Sequence, residues 1–348
     1  MALLYLDELS IDTMERIAEE VSDPKLLEEI ATYSSAEEFA AIRIRVAENV
    51  HANRKILEIL KSDVSSHVRS AVASNPNVTQ DILRSLSQDD SYDVLSSVAC
   101  NPETPTDVLD NLSEYDDNPC VRICVAENKN TRPEILAKLA NDPNFTVRIS
   151  VAKNQSSTPD VLDKMTEDVS DYVKRLVAFN KNCDEKILKI LSEDSSPIVL
   201  VGVAQHKNST EEIFDLLLKN PNSDWTVYYA IAKNSNVTPN ILRMLLNEAK
   251  EDEDISIAIA ENEKTPENVL QDLFEGIISD TAEYGEISDI SEYRYILCSI
   301  LRNKNAGTNL IDKIFSSCET WLLSSAYLDN VALNPTASER ILKMLQSK

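Results

Sequence analysis

The chain has 348 residues, a net charge of −25 and only four glycines. So few glycines cannot build a nucleotide-binding loop, and free nucleic acid and anionic membranes carry the same sign of charge as the chain. The start of the chain lacks a basic signal-peptide region and no apolar run nears the roughly 18 residues of a membrane span, so we expect a cytoplasmic protein that contacts neither membrane nor nucleic acid directly.

Residues 1–41 are predicted to form an N-terminal helical cap. The first forty residues hold eleven acids against two bases. A polar cap is typical of repeat arrays because the terminal unit must shield an apolar end from water. Whether the acidity has a function or only confers solubility stays open.

Residues 42–275 consist of regular repeats with a period of about 26 residues, built on the pattern V-x-x-x-V-A-x-N. Two looser copies follow, at Ile300 and Val331. The second apolar residue of the pattern serves as the anchor of each unit, and the anchors are Val46, Val72, Val98, Val125, Val151, Val177, Val203, Ile231 and Ile259.

Each unit is predicted to contain two short helices. The residue four before the anchor is always apolar, whereas the residue two before it includes Ser70 and Arg175. Burial at a spacing of four indicates a helix, not a strand. The second block, as in NVTPNILRMLL, starts with Thr as a helix N-cap and Pro at the first helical position. Units this small must stack to share a core, so the fold class is an all-α solenoid.

An asparagine ends the first block in nearly every unit, Asn128 and Asn154 among them. Asparagine tolerates the left-handed conformation at a helix C-terminus and bonds nearby backbone groups, so we expect a structural ladder. A ligand-binding row of asparagines is the alternative.

An aspartate precedes the first apolar residue of the block by five positions in six units, including Asp142, and a basic residue such as Arg148 follows that apolar residue in five. Acid and base at matched positions could pair between units or cap the helix start, which predicts a structural role. A catalytic set is the alternative.

Aromatic residues replace polar ones two residues before the first apolar position in three units, at Tyr92, Phe145 and Trp225. Equivalent positions of stacked units fall along one edge, where aromatic side chains could anchor a partner. Packing between repeats is the alternative.

Residues 276–295 interrupt the repeat as an acidic insert that contains Tyr284, Tyr293 and Tyr295. We expect either a partner contact or a plain surface loop. Residues 296–348 are predicted to be degenerate C-terminal repeats and a cap.

The six cysteines form no C-x-x-C pair, and the three histidines are far apart in sequence. Cys120 and Cys124 could share a helix face, but the cysteines are expected to be ordinary packing residues of a reduced protein. We therefore predict no metal, no cofactor and no catalytic residues.

The pattern V-R-x-x-V-A-x-N-x-x-T-P-x-x-L-x-x-L, seen in VRISVAKNQSSTPDVLDKM and VLSSVACNPETPTDVLDNL, resembles the variant leucine-rich repeat family. The resemblance implies a right-handed superhelix of short helices, related to the HEAT and armadillo class. The cysteine-ligated iron–sulfur module of that family's founding type is not expected, because residues 1–41 contain no cysteine. The resemblance implies little about function.

The sequence favours a non-enzymatic scaffold that binds another protein, with a basic surface, along an extended face of the solenoid. An acidic inhibitor that mimics nucleic acid is the alternative, and it requires carboxylates spaced like phosphates. A nucleic-acid-processing enzyme on a helical scaffold is disfavoured by the lack of a basic face. The oligomeric state stays open.

Overall fold

A computed structural model describes residues 9–115, 118–248, 252–284, 293–322 and 334, with the side chains of 280–284 and 318–322 left out. This part of the chain forms twenty-two α-helices, α1 to α22, and no β-strand. The predicted all-α fold built from pairs of short helices is therefore confirmed.

Each repeat contributes a first helix that carries the anchor residue and a second helix that follows a short turn. The first helices are α3 (Ala40–Glu48), α5 (Ser66–Ser74), α7 (Tyr92–Cys100), α9 (Pro119–Glu127), α11 (Phe145–Lys153), α13 (Asp171–Phe179), α15 (Pro197–Gln205), α17 (Trp225–Lys233), α19 (Glu253–Glu261) and α21 (Arg294–Arg302). The second helices are α4 (Arg54–Leu60), α6 (Gln80–Leu86), α8 (Thr106–Leu112), α10 (Pro133–Leu139), α12 (Pro159–Lys164), α14 (Glu185–Ser192), α16 (Glu211–Lys219), α18 (Pro239–Glu248), α20 (Glu267–Tyr284) and α22 (Thr308–Leu322).

The core consists of the residues that the repeat pattern marks as apolar. In α11, Val147 and Val151 are fully inaccessible to solvent, and Leu136 of α10 is equally buried. Burying one such side chain contributes about 2 kcal/mol. No unit has enough of them to fold alone, so the shared core requires stacked neighbours.

The chain divides into two compact units. The first comprises Met1–Val173 with Asn180–Asn182, and the second comprises Lys174–Phe179 with Cys183–Lys348. In the first unit the helices α1, α3, α5, α7, α9 and α11 pack in sequence, and in the second α15, α17, α19 and α21 do the same. Each unit is thus a stack of consecutive repeats, as predicted, while the handedness of the superhelix stays a prediction.

The N-terminal segment has the helix arrangement of a further repeat. Here α1 (Ile11–Glu20) packs on α3, and α2 (Pro24–Thr32) packs on α4. The side chain of Asn49 donates hydrogen bonds to the backbone carbonyls of Ala18, Glu19 and Val21 at the end of α1. The sequence signal for this unit is the weak match of IAEE at 17–20 to VAEN at 46–49.

The segment predicted as an insert, 276–295, begins inside a helix. The helix α20 has 18 residues and runs across position 276 to Tyr284, more than twice the length of α4 or α6. Residues 285–292 lie outside the described residues, and α21 begins at Arg294. The departure from the repeat therefore starts as an extension of a second helix.

Candidate partner-binding surface

The asparagines of the repeat connect each first helix to the one before it. The Asn128 side-chain amide donates to the carbonyls of Ala99 and Asn101, both at 2.8 Å, and Asn154 donates to Ala126 and Asn128 at 2.6 and 3.0 Å. Their side-chain oxygens accept from backbone N–H groups two residues later. Every polar atom of these buried amides is thus occupied by the protein's own backbone, so little is left for a ligand.

The expected left-handed conformation of these asparagines is wrong. Asn128 has φ −69° and ψ 127°, and Asn154 has φ −64° and ψ 130°, which are extended values that any residue adopts. Asparagine is needed here for its side chain, which reaches the carbonyls left unpaired at the end of the preceding first helix. His206 stands in one unit and accepts the equivalent backbone hydrogen bond from Asn208 through Nδ1 at 3.0 Å.

The structure shows a second row of asparagines that was not predicted from the sequence. These residues lie two positions after the first row, and their side-chain amides donate to carbonyls in the turn of the preceding repeat. Their recurrence at a fixed offset was the available signal. They are Asn77, Asn130, Asn182, Asn236 and Asn305.

The predicted N-cap role of threonine is wrong where threonine stands three residues after the asparagine. The buried hydroxyls of Thr104 and Thr265 donate backwards, to the carbonyls of the anchors Val98 and Ile259. They end the first helix and do not begin the second one. A threonine four residues after the asparagine does act as an N-cap: Thr238 Oγ1 accepts a hydrogen bond from the backbone N–H of Ile241 at 3.4 Å.

The aspartates and basic residues of the repeat pair between neighbouring units. Arg122 Nε donates to Asp142 at 2.6 Å, and Arg148 Nε donates to Asp168 at 2.6 Å. Arg148 also donates to the backbone carbonyl of Asp142 at 2.8 Å, so three consecutive units are connected. Asp142 additionally accepts from the backbone N–H of Asn144. These contacts suit a structural role, which stays a prediction until it is tested by substitution.

In the less buried Arg69–Asp89 pair of this row, charge pairing shifts the pKa of both groups. The Arg69 guanidinium, hydrogen-bonded to Asp89, holds the pKa of that carboxyl below its usual value, and the carboxyl raises the pKa of Arg69 in return. Among the six first helices from α3 to α13, only α7 lacks the base, because buried Leu95 stands where the others carry Arg or Lys. The acid it would meet, Asp116, lies outside the described residues.

The exposed face of the second helices is covered by a different set of ion pairs. Here side chains of opposite charge from neighbouring repeats pair with each other, so that part of the surface charge is compensated. The pairs are Glu28–Lys55, Arg54–Asp81, Arg84–Asp107, Asp110–Arg132, Glu114–Lys138, Lys189–Glu212 and Glu275–Lys313.

The three aromatic residues singled out in the sequence are exposed. Tyr92, Phe145 and Trp225 are each the first residue of a first helix, and their exposed fractions are 44%, 56% and 57%. Packing between repeats would bury them, so the structure does not favour that alternative. Tyr92 and Phe145 lie in the first compact unit, and Trp225 lies in the second.

In the first unit these aromatics belong to a longer apolar row. The Tyr92 ring meets the ring of Tyr115 edge-on, with centroids 5.9 Å apart, and Val169 and Tyr172 are exposed beside the start of α13. All five residues lie at the N-terminal ends of consecutive first helices. We call the row of Tyr92, Tyr115, Phe145, Val169 and Tyr172 the aromatic edge.

The tyrosines of the predicted insert do not form a described cluster. The side chain of Tyr284 lies outside the described residues, and Tyr293 lines a cavity of about 550 Å³ beside α20. Tyr295 is 53% exposed, with the guanidinium of Arg294 over its ring at 4.7 Å. The structure therefore supplies no shared site for these three residues.

The cysteines depart from expectation at one position. Cys100 at the end of α7 and Cys124 in α9 form a disulfide, so the prediction that all six are ordinary packing thiols is wrong for this pair. The equivalent positions of the next two units are occupied by Glu127 and Ser150, which are joined by a hydrogen bond of 3.2 Å. The disulfide thus joins two positions of adjacent first helices that are also in contact in the next pair of units. Elsewhere, burial raises the pKa of Cys183 to about 12, so it is a protonated thiol.

No group of three or more His, Cys, Asp or Glu side chains in the described part of the chain is placed to hold a metal ion. None of the helices in the described ranges is both long and apolar enough to cross a bilayer.

No family model matches the sequence, and no curated protein matches it either. Among solved structures, the chain is similar to a leucine-rich repeat variant described as having a novel repetitive protein structural motif. The two share 26% sequence identity over 65% of this chain and 88% of that one, with a TM-score of 0.49. That structure is of the kind of repeat protein that the sequence pattern resembles, while the fold of this chain is established by the helices described above.

Proposed function

We propose that the chain is a non-enzymatic repeat scaffold that binds another protein, one with a basic surface, through the exposed N-terminal ends of its first helices. The single observation that carries this proposal is the exposure of Tyr92, Phe145 and Trp225. Aromatic side chains are enriched among the residues that dominate binding energy at protein interfaces.

The contrast between two surfaces supports this location. Several acids and bases of the second helices pair across repeats, so part of the charge on this face is compensated within the chain. The ends of the first helices instead present rings to solvent. Exposed aromatic side chains that recur at one position of the repeat are candidates for anchoring a partner.

The charge of the chain supports a basic partner. A net charge of −25 repels acidic proteins and steers basic ones toward the surface, which raises the rate of association more than the final affinity. Location in the cytoplasm is part of the proposal. The Cys100–Cys124 bond weighs against it, because disulfides are rare in reducing compartments.

The nucleic-acid mimic is less well supported. On and just after the second helices, acids such as Asp81, Asp107 and Glu114 pair with bases of the neighbouring repeats. A mimic needs rows of uncompensated carboxylates to replace phosphates. Competition by duplex DNA for the captured partner distinguishes the two functions, because only a mimic shares its binding site with DNA.

Site-specific photo-crosslinking tests the proposal. A benzoylphenylalanine at position 145 should crosslink a basic protein in native lysate. The same group at position 59, an exposed residue of α4 in the same unit, should not. The proposal is refuted if both positions give the same products, or if no product depends on irradiation. Crosslinking that weakens as salt is added supports the basic character of the partner.

A further inference from the structure

Tyr92, Phe145 and Tyr172 of the aromatic edge, like Trp225, differ from three other exposed rings of the described residues in having no base over the ring. Elsewhere the chain places its own base over an exposed ring: Arg175 over Phe179, Lys233 over Tyr229 and Arg294 over Tyr295, at 4.7–5.7 Å. Among the described residues, no such base covers Tyr92, Phe145 or Tyr172. These rings are 44–56% exposed, so they can receive a cation from outside.

Uncompensated acids flank the same rings. Asp90 and Asp93 lie on either side of Tyr92, and Glu167 lies two residues before Val169. All three acids are exposed, and none takes part in an ion pair in the described part of the chain. The edge therefore combines aromatic faces with negative charge.

The bases nearest to the edge are held inside the structure. Arg69, Arg122 and Arg148 point into the Arg–Asp row, where their side chains are at most 19% exposed. Arg69 interacts electrostatically with Asp90 from within the row, but none of the three arginines forms an ion pair with the described acids at the surface. The edge can therefore accept a cation from another molecule.

The same Arg–Asp row keeps the edge in register from α9 to α13, while α7 and α9 are joined by the Cys100–Cys124 disulfide. Each pair joins one first helix to the residues just before the next, so the N-terminal ends of neighbouring first helices are held level. Packed helices are about 8–10 Å apart, which puts Tyr92 about 18 Å from Phe145 and Phe145 about 9 Å from Tyr172. An extended chain advances about 3.3 Å per residue, so these gaps correspond to roughly six and three residues.

We propose that the aromatic edge binds an extended, arginine-rich segment of a partner protein. The inference rests on the proposed scaffold function and names the chemistry that one of its surfaces recognises. The planar guanidinium of arginine stacks on an aromatic ring and can pair with a carboxylate at the same time. Lysine, as a compact and strongly hydrated charge, does this less well.

A titration with synthetic peptides tests the proposal on the full chain. The probe is a fluorescently labelled Gly/Ser peptide with three arginines in the spacing R-x5-R-x2-R, and its binding is followed by anisotropy. A second peptide carries lysine at the same positions. The wild-type chain should bind the arginine peptide at least about threefold more tightly than the lysine peptide. Equal binding of the two peptides overturns the proposal.

Two variants locate the binding. The triple variant Tyr92→Ala, Phe145→Ala and Tyr172→Ala should weaken the arginine peptide at least about tenfold. The triple variant Asp90→Asn, Asp93→Asn and Glu167→Gln should also weaken it, and should reduce the dependence of affinity on salt. Because all six residues are exposed, both variants should keep the wild-type circular dichroism and melt within a few degrees of it.

The matched control removes the same charge at the opposite end of the first helices. Its substitutions are Glu103→Gln, Glu134→Gln and Asp160→Asn, at exposed acids in or just after the turns that lead to α8, α10 and α12. This variant should bind the arginine peptide within about twofold of wild type. If it loses as much affinity as the edge variant, binding reflects net charge alone and the proposed site is wrong.

The outcome can be separated from that of the scaffold function. If position 145 crosslinks a basic protein while the peptide does not bind, the scaffold function stands and the arginine-rich segment is wrong. If neither crosslinking nor peptide binding is observed, both proposals fail.

Discussion

Replacing Asp142 with asparagine tests whether the Arg–Asp row holds the repeats together. An exposed ion pair would contribute about 1 kcal/mol or less. The Arg122 and Asp142 side chains, however, are only 9% and 5% exposed. Breaking a buried pair leaves a charge without its counterion and costs about 3–5 kcal/mol. Asparagine preserves shape and can keep the backbone contact to Asn144, so we expect the lower limit, about 3 kcal/mol.

That loss should lower the melting midpoint by about 6 °C or more, since 1 kcal/mol corresponds to about 2–4 °C for chains of 150–250 residues. Far-UV circular dichroism measures the midpoint. The matched control is Asp107→Asn, which breaks an exposed Arg–Asp pair between repeats and should melt like wild type.

The chain itself suggests a rescue. Leu95 occupies the arginine position in one unit, so leucine fits there, and the double variant Arg122→Leu and Asp142→Asn removes both charged groups of the pair. Removing both charged groups should destabilise less than Asp142→Asn alone, because no buried charge is left unpaired. The buried structural role of the pair is contradicted if Asp142→Asn melts like wild type. It is also contradicted if the double variant loses as much stability as the two single variants added together.

Three further predictions follow from the same structure. Val151→Asp should lower stability by several kcal/mol, because it buries an unpaired charge in the core, and wild-type melting of this variant would show that the repeat register is wrong. The Cys100–Cys124 disulfide closes a loop across 24 residues of sequence, so removing it should lower the free energy of unfolding by about 3 kcal/mol. The intact mass of the chain should be lower by two hydrogens under non-reducing conditions than in reductant, and equal masses would contradict the bond. The pKa of Asp89 is lowered by Arg69, so its stabilising contribution is complete above the unfolded-state pKa of about 3.9 and is lost as pH falls through the folded-state value. The difference in melting midpoint between wild type and Asp89→Asn should therefore be large near neutral pH and shrink below about pH 4, and a difference that grows with acidification would contradict the pairing.

The repeat made the fold predictable. Comparing copies replaced one ambiguous stretch by nine aligned ones, and freely varying residues such as Ser70 and Arg175 showed which positions need not be buried. That comparison separates helix from strand where one copy, such as VRISV, cannot. Contacts between units were harder to predict, because the sequence shows that Asp142 and Arg148 recur but not which partners they meet.

The contacts that sequence reasoning missed depend on three-dimensional distance. The helix C-terminus at Asn128 was assigned a left-handed turn from general preference, whereas the actual requirement is a side chain that reaches the preceding repeat. The pairing of Cys100 with Cys124 depends on which positions of adjacent first helices touch, and only the Cys120–Cys124 spacing was visible in sequence. The aromatic residues could be placed on an edge from the register, but their exposure, and the lack of a covering cation, required the structure.

The most direct test of the proposed function is the affinity of the crosslinked basic partner for three forms of the chain, measured by surface plasmon resonance. These are the wild type, the Tyr92→Ala, Phe145→Ala and Tyr172→Ala variant, and the Glu103→Gln, Glu134→Gln and Asp160→Asn control. We predict that the aromatic variant loses at least about tenfold in affinity while the control stays within about twofold of wild type. Equal affinities for all three forms would show that the partner binds elsewhere and would contradict the assignment of this surface.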